Sequence, residues 1–450
     1  MKILQLLKSR FARDTAVLQV GGVLNAVGNL VSSVALAHVL GAREQGDFYT
    51  AQALFALFFF TLNLGVVQAT VSQIAAASAR SLEEKVASWL AFLAKAYLAA
   101  ALVLTGLGWL VLPWLADWQY DARSLGWWAW LLCLTPLLEM PKVVCGAALQ
   151  GTRRMLPLAQ CENAMEACRV VLVVAGAAIT GNPLGPVIGT LTASLVGSVV
   201  AVDIYRRARA ENATCLPGLR YIAGRIRSIP LREGLPLGLR IGLMRNIDAL
   251  VIDALPPLII RRFGGPDGQA IVTYFRIAQR FMKLPMMLLQ GVTRTALPAM
   301  SEYVGRGDWK GLRKIWLRTT LLAGGATCLL VGLFTLCLPW IVESFYPRDY
   351  LAPIQSLSLI LAGAYGLMSF HVGYDAFYIA TSRLKIAIVI GVSGMCVYLL
   401  AMIWLVSTLG LTGPAWAILI ASAWGSWNAV YLWHFFRTAT VPGRTPAPRT

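Results

Sequence analysis

The stretch WLAFLAKAYLAAALVLTGLGWLVLPWL, residues 89–115, carries one charged side chain, Lys95. About 20 consecutive apolar residues in a helix cross the hydrocarbon core of a bilayer. A helix apolar on every face for this length is not the surface helix of a soluble protein. The segment predicts a transmembrane helix. Its flanks have opposite character. Arg80 and Lys85 precede it, whereas Trp109, Trp114 and Trp118 mark its far end and Trp127 and Trp128 open the next segment. Cations at one end and indoles at the other give the helix a direction across the membrane.

Working outward, apolar segments run over 16–40, 48–75, 125–149, 156–179 and 184–204. A second set covers 235–260, 270–290, 316–341, 352–380, 386–406 and 414–436. Unpaired backbone groups cost several kcal/mol each in lipid, so helix is the form open to each of them. The fold expected is an all-α polytopic membrane protein of about twelve transmembrane helices. Composition agrees: the 450 residues are 58% hydrophobic and 13% charged, with a mean hydropathy of +0.66. A soluble domain carries about 25% charged residues.

The net charge of +18 suggests nucleic acid until its placement is read. One set of alternate loops and tails holds Lys2, Lys8, Arg10, Arg13, Arg80, Lys85, Arg153, Arg154, Arg206, Arg207, Arg209, Arg220, Arg225, Arg227 and Arg232. It continues with Arg306, Lys310, Arg313, Lys314, Arg383, Lys385, Arg437, Arg444 and Arg449. The other set holds Arg43, Arg123, Arg261, Arg262 and Arg348. Twenty-four cations against five, in strict alternation, put the first set and both termini in the cytoplasm. The charge orients the chain in a membrane and predicts no nucleic-acid partner. The basic start leads into an apolar run too long for a signal peptide, so it reads as span one.

The longest loop separates six spans from six. The expected division is an N-terminal lobe (1–204), a basic cytoplasmic linker (205–234), a C-terminal lobe (235–436) and a cytoplasmic tail (437–450). Within the linker, Ile222, Ile226 and Ile229 recur at helical spacing among arginines, which predicts a short helix lying on the inner leaflet. The lobes echo each other. GAREQGDFY at 41–49 precedes span two and GGPDGQAIVTY at 264–274 precedes span eight, each followed by a glycine, Gly65 and Gly291. ALQGTRR at 148–154 parallels IATSRLK at 379–385. An even number of spans per repeat gives halves of like orientation.

The eight cysteines and three histidines show no metal-ligand spacing, so no metal site, cofactor or catalytic group is expected. Chemistry is left to the charges inside the spans. Lys142 follows Glu139 by three residues and Arg169 follows Glu166 by three, so each pairs on its own helix. Lys95, Arg240, Arg294 and Arg318 can snorkel toward the cytoplasmic side. Arg276, Arg280 and Lys283 differ: their i, i+4, i+7 spacing makes one cationic stripe on span eight, and Arg245 sits at similar depth on span seven. Each costs about 2.5–3.5 kcal/mol if it faces lipid. They line a water-filled cavity for an anion or pair with acids from other helices. A phosphate or pyrophosphate suits the guanidinium forks.

Span ten adds His371, Tyr374, Asp375 and Tyr378. Tyrosines there suit sugar hydroxyls, or hydrogen-bond between helices. Asn25 and Asn29 on span one are further candidates to touch substrate, with close helix packing as the other reading. Asp248 and Asp375 are the candidate ion-coupling carboxylates.

Two stretches carry a resemblance. LAHVLGAREQGDFYTAQALFALFFFTLNLGVVQATVSQIA at 36–75 is similar to spans one and two of polysaccharide-biosynthesis transporters. RNIDALVIDALPPLII at 245–260 and VTYFRIAQRFMKLPMMLLQGVTRTALPAMSEYVGRGD at 272–308 are similar to their spans seven and eight. Tyr274, Ala278, Arg280, Pro285 and the LPAMS run carry the match, with Tyr274 one residue farther from Ala278 than usual. The chain thus resembles the oligosaccharide flippases of the multidrug/oligosaccharidyl-lipid/polysaccharide superfamily. The resemblance implies two six-helix lobes around a central cleft lined by spans one, two, seven and eight. It also implies a bacterial inner-membrane flippase that passes a polyprenyl-pyrophosphate-linked oligosaccharide to the outer face by alternating access. Membrane lipids and other polysaccharide-assembly proteins would be its partners. Two rivals stand. A multidrug exporter of the superfamily would want a cavity rich in acids. A membrane glycan polymerase or glycosyltransferase would need a larger extramembrane domain than these loops provide.

Overall fold

The structure, a computed structural model, describes residues 10–62, 65–211, 216–230, 250–381 and 383–439, and no strand occurs among them. Eight stretches are long and apolar enough to cross a membrane. Two of these, Gly21–Phe59 and Lys385–Thr438, cover two spans each. Spans seven and eight complete the twelve-span, all-α architecture.

The first helix, α1 (Arg10–Leu62), covers spans one and two and turns at Gly41, whose φ of 75° suits glycine. Gln45 Nε2 donates to the Ser33 carbonyl at 3.2 Å and to Tyr49 Oη at 2.9 Å. A straight helix would separate residues 33 and 45 by about 18 Å, so the chain reverses here. Span two continues as α2 (Val66–Ser78), entered through Gly65 at φ 63°. Then come α3 (Glu83–Tyr120), α4 (Arg123–Leu132), α5 (Thr135–Gly151), α6 (Met155–Thr180) and α7 (Leu184–Glu211). The short α8 (Leu219–Arg225) follows, and a π turn at Leu250–Ala254 leads into α9 (Leu255–Phe263). The remaining helices are α10 (Gly268–Gly305), α11 (Trp309–Phe345), α12 (Leu351–Ser369), α13 (Tyr374–Ala380), α14 (Leu384–Leu409), α15 (Gly413–Gly425) and α16 (Trp427–Ala439). Spans four, ten and twelve are each two helices in tandem.

The chain forms two compact units, Met1–Leu258 and Ile259–Thr450. The division falls inside the apolar segment read as span seven, not in the 205–234 linker. Leu250–Ala254 contacts α1, which groups it with the first unit.

In the first unit α6 and α7 meet at backbone range. A Cβ on Gly189 would run into the backbone of Leu172 and Val173, and one on Gly185 into the Gly176 carbonyl. Small residues permit such closeness where lipid offers no hydrophobic drive between helices. The linker helix α8 exists, but its apolar face is not offered to the leaflet. Ile222 is buried in the core with Leu90, Leu93 and Leu216, and Ile226 and Ile229 pack against the same core. Burial against protein removes the apolar stripe that a membrane-surface helix needs. Arg225 clamps the segment by pairing with Glu84 at 2.7 Å and donating to Ser88 Oγ at 3.1 Å. Lys95, expected to snorkel, donates to the carbonyls of Arg227 and Ile229 at 3.2 and 2.8 Å.

The indoles at the end of α3 are left uncovered by the protein. Trp109, Trp114 and Trp118 are exposed, and the last two stack at 6.1 Å. In the second unit the core is aromatic: Trp316, Tyr374, Phe377, Tyr378, Phe435 and Phe436 pack together.

The halves share turn geometry. Thr152 Oγ1 donates to Ala148 O and Thr381 Oγ1 to Phe377 O, both at 2.8 Å. Arg154 N donates to Leu149 O at 2.8 Å and Arg383 N to Tyr378 O at 2.9 Å. The two turns match with Thr152 on Thr381, two residues from the register the sequence suggested. The pair Gly65 and Gly291 fails differently: Gly65 breaks span two, whereas Gly291 lies inside an unbroken α10.

Candidate functional site

The cationic stripe is set by the register of α10. Positions 271, 275, 278, 282 and 289 are buried, while Arg276, Arg280, Lys283 and Met287 on another face are half-buried. Burying Phe275, Ala278 and Met282 against the second unit fixes the rotation of the helix, and with it the direction of the cations. No carboxylate stands within four positions of any of the three on α10, although each has an interaction partner. Arg245 and Asp248 lie outside the described residues.

The structure separates the span-ten candidates. Helix is interrupted between α12 and α13, at 370–373. Beyond the break Tyr374 and Tyr378 turn inward, whereas Asp375 is exposed and engaged with a partner. Tyr374 stacks on Trp316 at 6.4 Å and lies 5.2 Å from the His371 ring. Tyr378 donates to Asn428 Oδ1 at 2.8 Å and stacks on Tyr431 at 6.0 Å. Both tyrosines therefore stand in the packed interior, and the link to span twelve is an interhelical hydrogen bond.

In the first unit both sequence-read ion pairs form. Lys142 Nζ is 3.8 Å from Glu139 Oε2, and Arg169 pairs with Glu166. What local spacing could not show is the link to span one. Asn29 Nδ2 donates to Glu166 Oε1 at 3.1 Å, and Arg169 Nη2 donates to Asn29 Oδ1 at 2.8 Å. Ser194 Oγ donates to Glu139 at 3.0 Å. Near the same cluster, Asn25 Oδ1 and Asn163 Oδ1 are buried, with no hydrogen bond to the described residues. Asn163 and Asn428 were missed by sequence reasoning, because one asparagine in an apolar span does not declare its partner.

Among the described residues no group of His, Cys, Asp or Glu is arranged to hold a metal ion. Two helical units rich in stretches long and apolar enough to cross a membrane, with half-buried charge on one spanning helix, define a multi-pass membrane fold. Solved structures share that fold. An inward-facing multidrug resistance MATE family transporter of the MOP superfamily aligns with TM-score 0.68 and 16% identity over 93% of this chain and 96% of its own. A MOP superfamily transporter from Pyrococcus furiosus, described as having a binding pocket of reverse polarity that suggests a different function, aligns at 0.60 with 17% identity over 96% of each chain. The eukaryotic MATE transporter AtDTX14 aligns at 0.59 with 15% identity over 96% of this chain and 99% of its own. No curated protein matches the sequence. The model of the polysaccharide biosynthesis protein family matches residues 11–304. The chain belongs to that family.

Proposed function

We propose that this protein is a bacterial inner-membrane flippase that moves a polyprenyl-pyrophosphate-linked oligosaccharide from the cytoplasmic to the outer leaflet by alternating access. Both termini face the cytoplasm, and the segments 1–204 and 235–436 act as its two lobes. The observation that carries the reading is the stripe Arg276, Arg280 and Lys283. It is held half-buried on one face of α10, with no carboxylate beside it on that helix. Guanidinium forks complement phosphate oxygens, and in a low-dielectric site charge selects for an anion. Arg245, in the apolar segment read as span seven, is proposed as a further phosphate-binding cation from its sequence position. A multidrug exporter handling organic cations would need the opposite polarity. The Pyrococcus relative, described by reversed pocket polarity, offers a precedent for that contrast within one fold. Asp248 and Asp375 are the carboxylates proposed for ion coupling. Asn25, Asn29, Tyr374 and Tyr378 are proposed to shape the passage from their interior positions rather than to meet the glycan first.

The test is complementation of a strain lacking the protein with Arg276→Ala, Arg280→Ala or Lys283→Ala. Surface glycan is expected to fall at least tenfold while membrane abundance stays near wild type. Lys at either arginine should restore little, because it lacks the fork. Variants absent from the membrane would make these residues structural ion-pair partners and end the anion-site reading.

A further inference from the structure

The second unit carries a cationic surface that the transport reading does not use. On α11, Lys310, Arg313 and Lys314 occupy the first turns at i, i+3 and i+4, and so share one face. Arg437 closes the end of α16, which touches α11. Arg313 and Arg437 both lie over the ring of Trp433, at 5.2 and 5.7 Å from its centroid. Trp433 is 49% exposed, and Lys310, Lys314 and Arg437 are exposed beside it.

The charge balance here is one-sided. No Asp or Glu occurs in α16, and none in α11 before Glu343 at its far end. In the turn that precedes α11, Glu302 pairs with Arg306, and the Asp308 carboxylate caps the helix by accepting from Gly311 N at 2.8 Å. Two guanidiniums thus gather at a single indole, and Arg437 has a further interaction partner. Trp rings settle at the headgroup level of a bilayer. Cations beside a spanning helix on the cytoplasmic side meet the anionic leaflet.

We propose that the surface centred on Trp433, with Arg313, Arg437, Lys310 and Lys314, binds the phosphate headgroup of an anionic phospholipid of the inner leaflet. The guanidiniums clasp the phosphodiester oxygens, the indole lies along the glycerol and upper acyl region, and the lysines add charge at the rim. The site lies away from the α10 stripe in sequence and would hold a resident lipid rather than the passenger. The choice of leaflet rests on the cytoplasmic orientation proposed above; the anion chemistry does not.

The test uses the purified full-length protein in detergent, with no glycolipid present, so its outcome is independent of the transport reading. Native mass spectrometry and thermal unfolding are followed as phosphatidylglycerol or phosphatidylcholine is added. Wild type should retain phosphatidylglycerol selectively and gain thermal stability from it. Arg313→Gln with Arg437→Gln should weaken retention about thirtyfold, at about fivefold per cation lost near a headgroup. Trp433→Ala should remove the stabilisation, and the exposed pair Lys310→Gln with Lys314→Gln should weaken it by a smaller factor. Arg220→Gln with Arg227→Gln, equally basic but on the linker, should change nothing. Equal retention of both lipids, or equal loss in the linker control, would overturn the site and leave only diffuse surface charge. An Arg313/Arg437 variant that fails to fold leaves the lysine and tryptophan variants to decide.

Discussion

Span five and span eight both place arginines inside the membrane, and they treat them in opposite ways. On span five, Arg169 finds Glu166 one turn away, and both are tied to Asn29 on span one. On span eight, Arg276, Arg280 and Lys283 follow one another along α10 with no acid within reach on that helix. The first arrangement neutralises charge locally and binds two helices together. The second concentrates charge of one sign along a face. Arg276, Arg280 and Lys283 each have an interaction partner, but none of them has an acid one turn away as Arg169 has, and charge of one sign along one face of a spanning helix is costly.

The largest effect expected from that contrast is on span five. Arg169→Ala leaves the Glu166 carboxylate without its counter-charge in the membrane, which costs about 3 kcal/mol. The double change Glu166→Gln with Arg169→Gln should recover most of that loss, whereas Arg280→Ala on span eight should cost less than about 1 kcal/mol. Thermal unfolding of the three proteins in detergent measures this. Equal losses at Arg169 and Arg280 would erase the distinction between a structural and a functional charge.

Next in size is the packing that aims the span-five pair. Gly189→Ala puts a methyl into the backbone of Leu172 and Val173, three turns or fewer along α6 from the ion pair. Overpacking of this kind costs about 2 kcal/mol. Gly391→Ala, whose Cβ would meet nothing within 4 Å, should be silent in the same assay. If Gly189→Ala is equally silent, α6 and α7 do not depend on backbone contact.

The smallest effect concerns a cation that the first unit uses to hold its own linker. Lys95→Met removes the donor to the Arg227 and Ile229 carbonyls and should cost about 1 kcal/mol. The local loss should appear as faster proteolysis near Arg227, with global unfolding almost unchanged. An unchanged cleavage rate would show that the burial of Ile222 alone secures the segment.

What the sequence determined without help is what repeats along it. Apolar length gave the spans, and alternating loop cations gave an orientation to test. Spacing of three residues gave the pairs Lys142–Glu139 and Arg169–Glu166, because partners one turn apart on a helix must meet. The i, i+4, i+7 rule gave the stripe at 276, 280 and 283 for the same reason. The tertiary structure alone decided which remote groups met. It joined Asn29 to Glu166 and Tyr378 to Asn428, turned the linker isoleucines into the core, and set Trp433 beneath arginines from two helices. It also split spans two, four, ten and twelve, which hydropathy reads as continuous. Periodicity specifies the faces of a helix, but the partner of a face is chosen by packing among segments far apart in the chain, and no local pattern encodes that choice.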